Sequence, residues 1–258
     1  MTMKKITRFY KKIALNLKPK VDVDKITKNF HNLDEIFNYF GTDKGTNVKN
    51  QYDKNSDLVI GHGFAKFYEK HLSNFKNQNF DLLEIGTWRG ASSAAFTIYF
   101  PKAYIYGVDR NFKFNYKSKR MKFINCDLTI NKEFKDLKKF IDNKKFKIII
   151  DDGSHILTHI IKNLKFFLKK VEKDCYYIIE DFNAPKDQLH LNDGNNDEIF
   201  IDDMLIKIKN KEYFKSKILS QEDQNYLFEN IEEIYTYEGN LKKPLSSNIA
   251  FIKKKIIL

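Results

Sequence analysis

The stretch DLLEIGTWRG, residues 81–90, decides the fold of this chain. It begins with apolar residues that predict a short buried strand, and the small residues 91–95 that follow predict the first turns of a helix. Gly86 and Gly90 lie where the strand must turn sharply into the helix and where a ligand must approach the backbone without meeting a Cβ atom. The pattern is therefore a strand, a glycine turn and a helix.

The polar residues of this turn indicate which nucleoside cofactor it suits. A G-x-G-x-x-G turn leaves an open anion site for a pyrophosphate, whereas this turn reads Glu84-x-Gly86-x-x-x-Gly90. A carboxylate at Glu84 repels a pyrophosphate and suits the positively charged aminoacyl end of S-adenosylmethionine (SAM). Asp109 ends the next apolar run and is placed to accept hydrogen bonds from both ribose hydroxyls. We therefore predict a SAM-binding half, the alternative being a turn with a structural role alone.

The composition is that of a soluble globular protein, with 258 residues of which 42% are hydrophobic. This length suffices for one large α/β domain or two small ones. No apolar run approaches the roughly 18 residues of a transmembrane helix, and the apolar run at residues 13–15 is too short for a secretory signal. Cys126 and Cys175 show neither metal nor disulfide spacing, so we expect a reducing, cytoplasmic environment.

The net charge of +12 raises the question of a nucleic-acid partner, because a basic chain gains phosphate affinity by counterion release. Only 4 of the 46 basic residues are arginines, however, and proteins that read bases rely on the bidentate arginine fork. The lysine excess, together with abundant Ile, Asn and Phe, is typical of an AT-rich genome. We therefore expect no nucleic-acid partner.

The N-terminal residues 1–20 carry apolar side chains at helical spacing among lysines, namely Ile6, Phe9, Ile13 and Leu17. This spacing predicts a basic amphipathic helix. Such a helix packs on the domain or on a partner subunit of a homo-oligomer, or it makes peripheral contact with a membrane surface.

The sequence GTDKGT, residues 41–46, brackets Asp43 and Lys44 with glycines, and polar residues extend it to Asp57. The pattern predicts a flexible, charged turn. It is either a plain surface loop or a loop that folds over a cofactor, and the sequence leaves both interpretations open.

Helix-like and strand-like segments alternate through the middle of the chain. After the opening strand, strands are predicted at residues 104–109, 121–126, 146–151 and 175–180, and helices at 33–40, 64–72, 92–100, 132–143 and 155–170. Regular alternation of this length predicts a doubly wound parallel sheet.

The last part of the chain changes in character. Residues 183–196 are polar and predict a long loop, and residues 198–209 predict a helix. Residues 232–237 and 248–253 predict two strands joined by a turn, the antiparallel hairpin that closes the sheet of SAM-dependent methyltransferases.

We therefore predict an α/β fold with a Rossmann-like, mostly parallel sheet of seven strands and a C-terminal antiparallel hairpin, the class I methyltransferase fold. Residues 1–32 would be an N-terminal basic helical extension and residues 33–258 the domain.

Acidic side chains end two neighbouring strands of the predicted sheet, Asp151 and Asp152 on one and Glu180 and Asp181 on the next. Parallel strands deliver these ends to the same crevice. Unpaired carboxylates repel one another, so a positive group must lie among them. A hard divalent cation such as Mg²⁺ suits carboxylate oxygens and leaves water positions free for a substrate. The alternative is a solvated acidic strand end paired with lysines.

Two histidines follow these carboxylates. His155 comes three residues after Asp152, at the start of the predicted helix, and we expect it to face the crevice as a general base. His159 comes one helical turn later, but no cysteine or third histidine is placed to complete a zinc site. We therefore predict that His159 is a core or supporting residue.

These motifs together resemble the metal-dependent sugar O-methyltransferases of the mycinamicin and macrocin type. The resemblance extends over about residues 33–186, and its motifs are YFGTDKGT (39–46), HGFAKFYEKHL (62–72), EIGTWRGAS (84–92), IIIDDGSH (148–155) followed by His159, and IIEDF (178–182). Cephalosporin hydroxylase-type relatives share the same motifs, so the fold does not fix the acceptor.

The resemblance implies that Asp152, Glu180 and Asp181 hold Mg²⁺, that His155 is the base, and that SAM is the cofactor. The candidate cofactor-binding residues are Lys44, Glu84, Gly86, Gly90, Asp109, Arg110, Asp127 and Asp151. We expect methyl transfer to a hydroxyl of a small sugar or nucleotide sugar, in surface polysaccharide (capsule) or other glycan biosynthesis. The alternatives are transfer to a phosphoryl or phosphoramidate oxygen on such a glycan, a nucleic-acid methyltransferase, and a non-enzymatic binding protein.

Overall fold

The computed structural model describes residues 19–48, 59–111, 113–194, 197–242 and 246–256 of the chain. The predicted N-terminal amphipathic helix therefore lies outside the described residues, as does most of the polar stretch before residue 57. In chain order, the described strands are β1 Val21–Asp22, β2 Asn47–Val48, β3 Val59–Ile60, β4 Asp81–Ile85, β5 Tyr104–Asp109, β6 Tyr116–Lys117, β7 Met121–Asn125, β8 Phe146–Asp151, β9 Val171–Glu180, β10 Ile231–Glu238 and β11 Asn248–Lys254. The described helices are α1 Leu33–Phe40, α2 Ala65–Leu72, α3 Ala91–Tyr99, α4 Asn131–Phe140, α5 Leu157–Phe167, α6 Ala184–Asp187, α7 Ile201–Asn210 and α8 Gln221–Asn230.

Seven of these strands form one sheet, in the order β10-β11-β9-β8-β4-β5-β7. Strands β7, β5, β4, β8 and β9 run parallel, and β11 pairs antiparallel with both β9 and β10. This order confirms the predicted doubly wound α/β sheet with its C-terminal hairpin. The chain builds one side of β4 first and then crosses to the other side with β8, so the crevice for a ligand lies at the carboxyl ends of these two strands.

The central strand β4 is buried on both faces, as a strand inside a parallel sheet must be. Leu83 and Ile85 belong to an apolar cluster that contains residues of α5 and α7. Leu82 belongs to the cluster on the opposite face, together with Phe37 of α1 and Tyr68 of α2. Helices therefore cover both faces of the sheet, and a ligand can approach only at the ends of the strands. None of the helices in the described part of the chain has the length and apolar character needed to cross a membrane.

Gly86 brings the end of β4 into direct contact with the turn after β8. Its φ is 86°, and its amide donates to the carbonyl of Val108 at 2.8 Å. A Cβ atom added at Gly86 would lie 1.8 Å from the carbonyl oxygen of Asp152. Only glycine allows these two backbones to meet, and their contact sets the distance between the glycine turn and the acidic turn.

The helix predicted at residues 155–170 begins later than expected. α5 starts at Leu157, and Ile156 before it has an extended backbone. His155 adopts a positive φ of 53° in the turn ahead of the helix. The prediction that His155 starts the helix is therefore wrong, because the DDGSH segment forms a loop of its own.

Helix α8 was not predicted, although its start carries a recognisable signal. The Ser220 side chain accepts a hydrogen bond from the Asp223 amide at 3.2 Å, and the Asp223 carboxylate accepts one from the Ser220 amide at 3.0 Å. This reciprocal pair is a capping box. The loop predicted at residues 183–196 also contains a short helix, α6, whose first turn holds a proline.

We expect replacement of Gly86 by alanine to destabilise the fold more than replacement of Gly194, whose φ is also positive, at 66°. Among the described residues, none lies within 4 Å of a Cβ added at Gly194. Gly194→Ala should cost about 1–2 kcal/mol of unfolding free energy from backbone strain alone. Gly86→Ala should cost about 1–3 kcal/mol more, because the added methyl group overlaps the Asp152 carbonyl. Urea unfolding of both variants measures the difference, and equal losses would contradict the close contact.

Candidate active site

A cavity of about 1680 Å³ opens at the carboxyl ends of β4, β5 and β8. This volume exceeds the roughly 300–1,000 Å³ of most small-molecule sites, so the cavity has room for a cofactor and a second ligand. The predicted site residues that line it are Lys44, Gly86, Asp109, Arg110, Asp127, Asp152 and His155.

Asp109 ends β5 beside the glycine turn. Its carboxylate accepts hydrogen bonds from the backbone amides of Trp88 at 2.8 Å and Asn111 at 2.5 Å. Burial raises the pKa of Asp109. Because each carboxylate oxygen can accept two hydrogen bonds, the fixed side chain keeps acceptor capacity towards the cavity.

Other residues predicted for cofactor binding do not line the cavity. Glu84 is fully buried beneath the glycine turn, where its carboxylate accepts a hydrogen bond from Ser93, and burial raises its pKa. Asp151 accepts hydrogen bonds from Asn163 at 3.1 Å and from the Tyr177 hydroxyl at 2.9 Å. Gly90 is also buried, at the start of α3. These residues lie beneath the residues that line the cavity, and their predicted roles in cofactor binding stay predictions.

Asp152, His155 and Asp181 form a cluster, and the first two of these residues line the cavity. Ligand atoms of the three side chains all lie within 4.8 Å of one another. One oxygen of Asp181, Oδ1, is buried and has no hydrogen-bond partner in the described part of the chain. Burial raises the pKa of Asp181 to about 7. Two carboxylates with an uncommitted oxygen fit a hard divalent cation such as Mg²⁺.

Glu180, predicted as a third metal ligand, is hydrogen-bonded by Lys44 and Tyr68. Its Oε2 accepts a hydrogen bond from the ammonium group of Lys44 at 2.7 Å, and its Oε1 accepts one from the Tyr68 hydroxyl. Lys44 also pairs with Oδ2 of Asp152. Burial lowers the pKa of Lys44, but the ion pairs with Asp152 and Glu180 outweigh it and hold that pKa well above its ordinary value. Lys44, predicted to bind the cofactor, thus lies among the predicted metal ligands.

The loop with the sequence GTDKGT carries Lys44 into the site. Gly41 ends α1 with a left-handed backbone. Lys44 then lies alongside the segment after β3, since the amide of Phe64 donates to the Lys44 carbonyl at 2.9 Å and the amide of His62 donates to the Asp43 carbonyl at 2.7 Å. The sequence left open whether this loop is a plain surface loop. In the structure the loop lies over the cavity, and Asp43 and Lys44 are among the residues that line it.

His62 is a cavity-lining residue that we did not predict. Its Nδ1 lies 3.3 Å from Oδ2 of Asp181, and burial lowers its pKa. On another carboxylate of the cluster, Nε2 of His155 lies 3.4 Å from Oδ1 of Asp152. One histidine therefore contacts each of the two carboxylates. The signal for His62 was the segment HGF just before α2, which was part of the motif resemblance but was not assigned a role.

His159 supports the turn that holds His155. Its Nδ1 lies 2.8 Å from the hydroxyl oxygen of Ser154, within the DDGSH segment. This contact is consistent with the supporting role expected for His159, although its side chain also lines the cavity.

No family model matches the chain. Over 129 residues it is 33% identical to mycinamicin VI 2''-O-methyltransferase of Micromonospora griseorubida, a match that covers 46% of this chain and 31% of the relative. Over 130 residues it is 27% identical to 8-demethyl-8-alpha-L-rhamnosyl tetracenomycin-C 2'-O-methyltransferase of Streptomyces olivaceus, covering 48% of this chain and 34% of the relative. The chain thus spans about a third of the length of these relatives.

Among solved structures, the chain is similar to the MycE methyltransferase of the mycinamycin biosynthetic pathway in complex with Mg and SAH. The TM-score is 0.65 at 22% identity, covering 88% of this chain and 55% of that one. A MycE complex that also holds mycinamycin VI gives a TM-score of 0.63. The chain therefore has the class I methyltransferase fold, and the sequence relatives confirm the resemblance inferred from the motifs.

We expect Asp151 to make the stability of the fold depend on pH. Burial raises its pKa to about 7, above the ordinary value of 3.8, although hydrogen bonds from Tyr177 and Asn163 oppose the rise. The folded state therefore holds this proton more tightly than the unfolded state, so the stabilisation is complete at low pH and is lost as the pH rises through 7. For a shift of this size the loss should be on the order of 2–4 kcal/mol.

Urea unfolding of wild type and of Asp151→Asn between pH 4.5 and 8 measures this contribution. The slope of unfolding free energy against pH is the readout, because the substitution also changes hydrogen bonds at every pH. The slope should be shallower in the variant. Parallel curves for the two proteins would contradict the assignment.

Proposed function

We propose that this chain is a SAM-dependent and Mg²⁺-dependent O-methyltransferase whose acceptor is a hydroxyl group of a sugar. The observation that supports this most directly is the cluster of Asp152, His155 and Asp181, which lies at the cavity that Gly86 and Asp109 also line. A hard-cation site beside a nucleoside site brings an acceptor oxygen next to a methyl donor. The names of the sequence relatives, O-methyltransferases that include one for a rhamnosyl group, support the same chemistry.

The cofactor half of the proposal rests on Gly86 and Asp109. Asp109 would accept hydrogen bonds from the ribose, since two backbone amides already fix its carboxylate at the cavity wall. Gly86 presents backbone rather than a side chain to the cavity, and Arg110 and Asp127 line it further along. SAM, when bound there, supplies a methyl group that is already activated for transfer.

The metal half rests on Asp152 and Asp181, with Glu180 beside them. Asp181 has an uncommitted buried oxygen in the described part of the chain, and Nδ1 of His62 lies 3.3 Å from its other oxygen, Oδ2. A bound Mg²⁺ would lower the pKa of an acceptor hydroxyl and fix its position. Asp152 and Asp181 would hold the ion, and Glu180 would reach it when its contact with Lys44 opens.

His155 would remove the proton from the acceptor hydroxyl. It lies at the edge of the carboxylate cluster, with Nε2 3.4 Å from Oδ1 of Asp152. Its side chain is only partly buried and lines the cavity, so an acceptor can reach it. His155 has a positive φ of 53° and lies in the turn between Asp152 and helix α5, which begins at Leu157.

Methyl transfer to sugars tests the proposal. Protein incubated with SAM and Mg²⁺ should methylate at least one compound in a panel of small glycosides, nucleotide sugars and polysaccharide fragments, detected by mass spectrometry. A chelator should abolish turnover and added Mg²⁺ should restore it, while calorimetric binding of S-adenosylhomocysteine should survive because the residues proposed to bind it lie at the ends of β4, β5 and β7. Asp152→Asn should behave like the chelated enzyme, and Asn at the exposed Asp142 is the matched control.

Full turnover in the presence of chelator would contradict the metal assignment. Transfer to an oligonucleotide or to a phosphoryl oxygen, with none to any sugar hydroxyl, would contradict the proposed acceptor. The names of the relatives favour small glycosides over polymers as the first compounds in the panel.

We expect His155→Ala to lower kcat by about 10²–10⁴-fold, since a positioned general base contributes this much. The Kd for S-adenosylhomocysteine should stay nearly unchanged, because His155 lies at the acceptor side of the cavity. The fall in kcat at acid pH, where a base is protonated, should disappear in the variant. His159→Gln is the matched control and should keep that acid limb. A His155→Ala enzyme with most of its kcat and the same pH profile would show that another group removes the proton.

A further inference from the structure

Lys44 is the buried cation of the carboxylate cluster. Its side chain is 1% exposed, and its ammonium group contacts both Asp152 Oδ2 and Glu180 Oε2. In the described part of the chain, no other lysine or arginine forms an ion pair with Asp152, Glu180 or Asp181. One ammonium group therefore balances two carboxylates that would otherwise be buried together without a cation.

Lys44 contacts one oxygen of Asp152 and one of Glu180, two of the three proposed metal ligands. Both oxygens of Glu180 are already hydrogen-bonded, one by Lys44 and the other by Tyr68. Oδ2 of Asp152 contacts the Lys44 ammonium group, and Oδ1 of Asp152 lies 3.4 Å from Nε2 of His155. A divalent ion on Asp152 and Glu180 would lie only a few ångströms from the ammonium group, and two cations at that distance repel strongly in a buried site.

We propose that Lys44 and the metal compete for Asp152 and Glu180, so that Lys44 acts as a built-in counter-ion that the metal displaces. This inference rests on the metal site of the proposed function. Lys44 is a positioning residue in this scheme. It keeps the acidic turn and the loop of residues 41–46 together before the metal binds, and it lowers the affinity of the site for the metal.

The placement of Lys44 on a loop makes such displacement feasible. Lys44 lies at the centre of the GTDKGT loop, which is held by backbone hydrogen bonds such as Phe64 N to Lys44 O at 2.9 Å rather than by a helix. The ammonium group can therefore leave the carboxylates by rotation of its long side chain while the backbone of the loop stays in register.

Lys44→Met tests the competition. The variant keeps the volume of the side chain and removes its charge, so the metal no longer has a competitor. Calorimetric titration with Mn²⁺, used as a probe for the Mg²⁺ site, should give a Kd about tenfold lower or better than that of wild type, because a close opposite charge changes carboxylate affinities by one to three powers of ten. The metal-free variant should unfold at a lower temperature, and Mn²⁺ should raise its Tm by more than it raises that of wild type.

Lys44→Arg, which retains the charge, is the matched control and should keep the Mn²⁺ affinity close to that of wild type. An unchanged or weaker Mn²⁺ affinity in Lys44→Met would overturn the competition. If wild type binds S-adenosylhomocysteine but no Mn²⁺ at all, the metal site of the proposed function fails together with this inference. Mn²⁺ binding to wild type that is the same in Lys44→Met overturns the inference alone.

A second measurement needs no variant and covers the case in which Lys44→Met fails to fold. In a crystal structure of wild type with Mn²⁺, the Lys44 ammonium group should have left hydrogen-bond distance of Asp152 or Glu180. Mn²⁺ bound at the cluster with both Lys44 contacts retained would overturn the proposal.

Discussion

The contact of two carboxylates, Asp152 and Glu180, with one buried ammonium group is the constraint on which this site depends. Parallel strands β8 and β9 end side by side, so their acidic residues must converge, and burial of like charges is costly unless a cation lies among them. The cation is supplied by Lys44, from a loop that lies more than a hundred residues earlier in the chain than Asp152. The ion pairs of Lys44 and the backbone hydrogen bonds of residues 43 and 44 together hold this loop over the cavity.

A second constraint, the backbone contact at Gly86, relates the two halves of the cavity. The glycine turn after β4 carries the residues expected to face the cofactor, and the turn after β8 carries Asp152. Because these turns touch without an intervening side chain, the glycine turn and the acidic turn have a fixed separation. In-line transfer between two bound molecules requires such a separation, since a small error in distance lowers the rate strongly. The sheet thus fixes the distance between the two turns on which the proposed methyl transfer would take place.

The sequence predicted the sheet well because its signals are local. The apolar runs that became β5 and β8 have the boundaries expected from the sequence, and the helix at residues 33–40 matches α1. The capping box at Ser220 was an equally local signal that was overlooked. Pairings that depend on distant residues were not predictable in the same way. The GTDKGT motif does not indicate that Lys44 contacts Glu180. The contact of His62 with Asp181 likewise depends on the packing of loops that are distant in sequence.

The contacts around β11 bear on the order in which the site is assembled. β11 inserts between β9 and β10, the amide of Asp181 donates to the carbonyl of Asn248 at 2.6 Å, and the amide of Asn240 donates to the carbonyl of His62 at 2.8 Å. A chain emerging from the ribosome can therefore form β4, β5 and β8 before either of these contacts exists. Pairing across such sequence distances is slow relative to local structure. The backbone of Asp181 gains its partner only when β11 is in place, so a partly synthesised chain can form the glycine turn after β4 before the acidic cluster is complete.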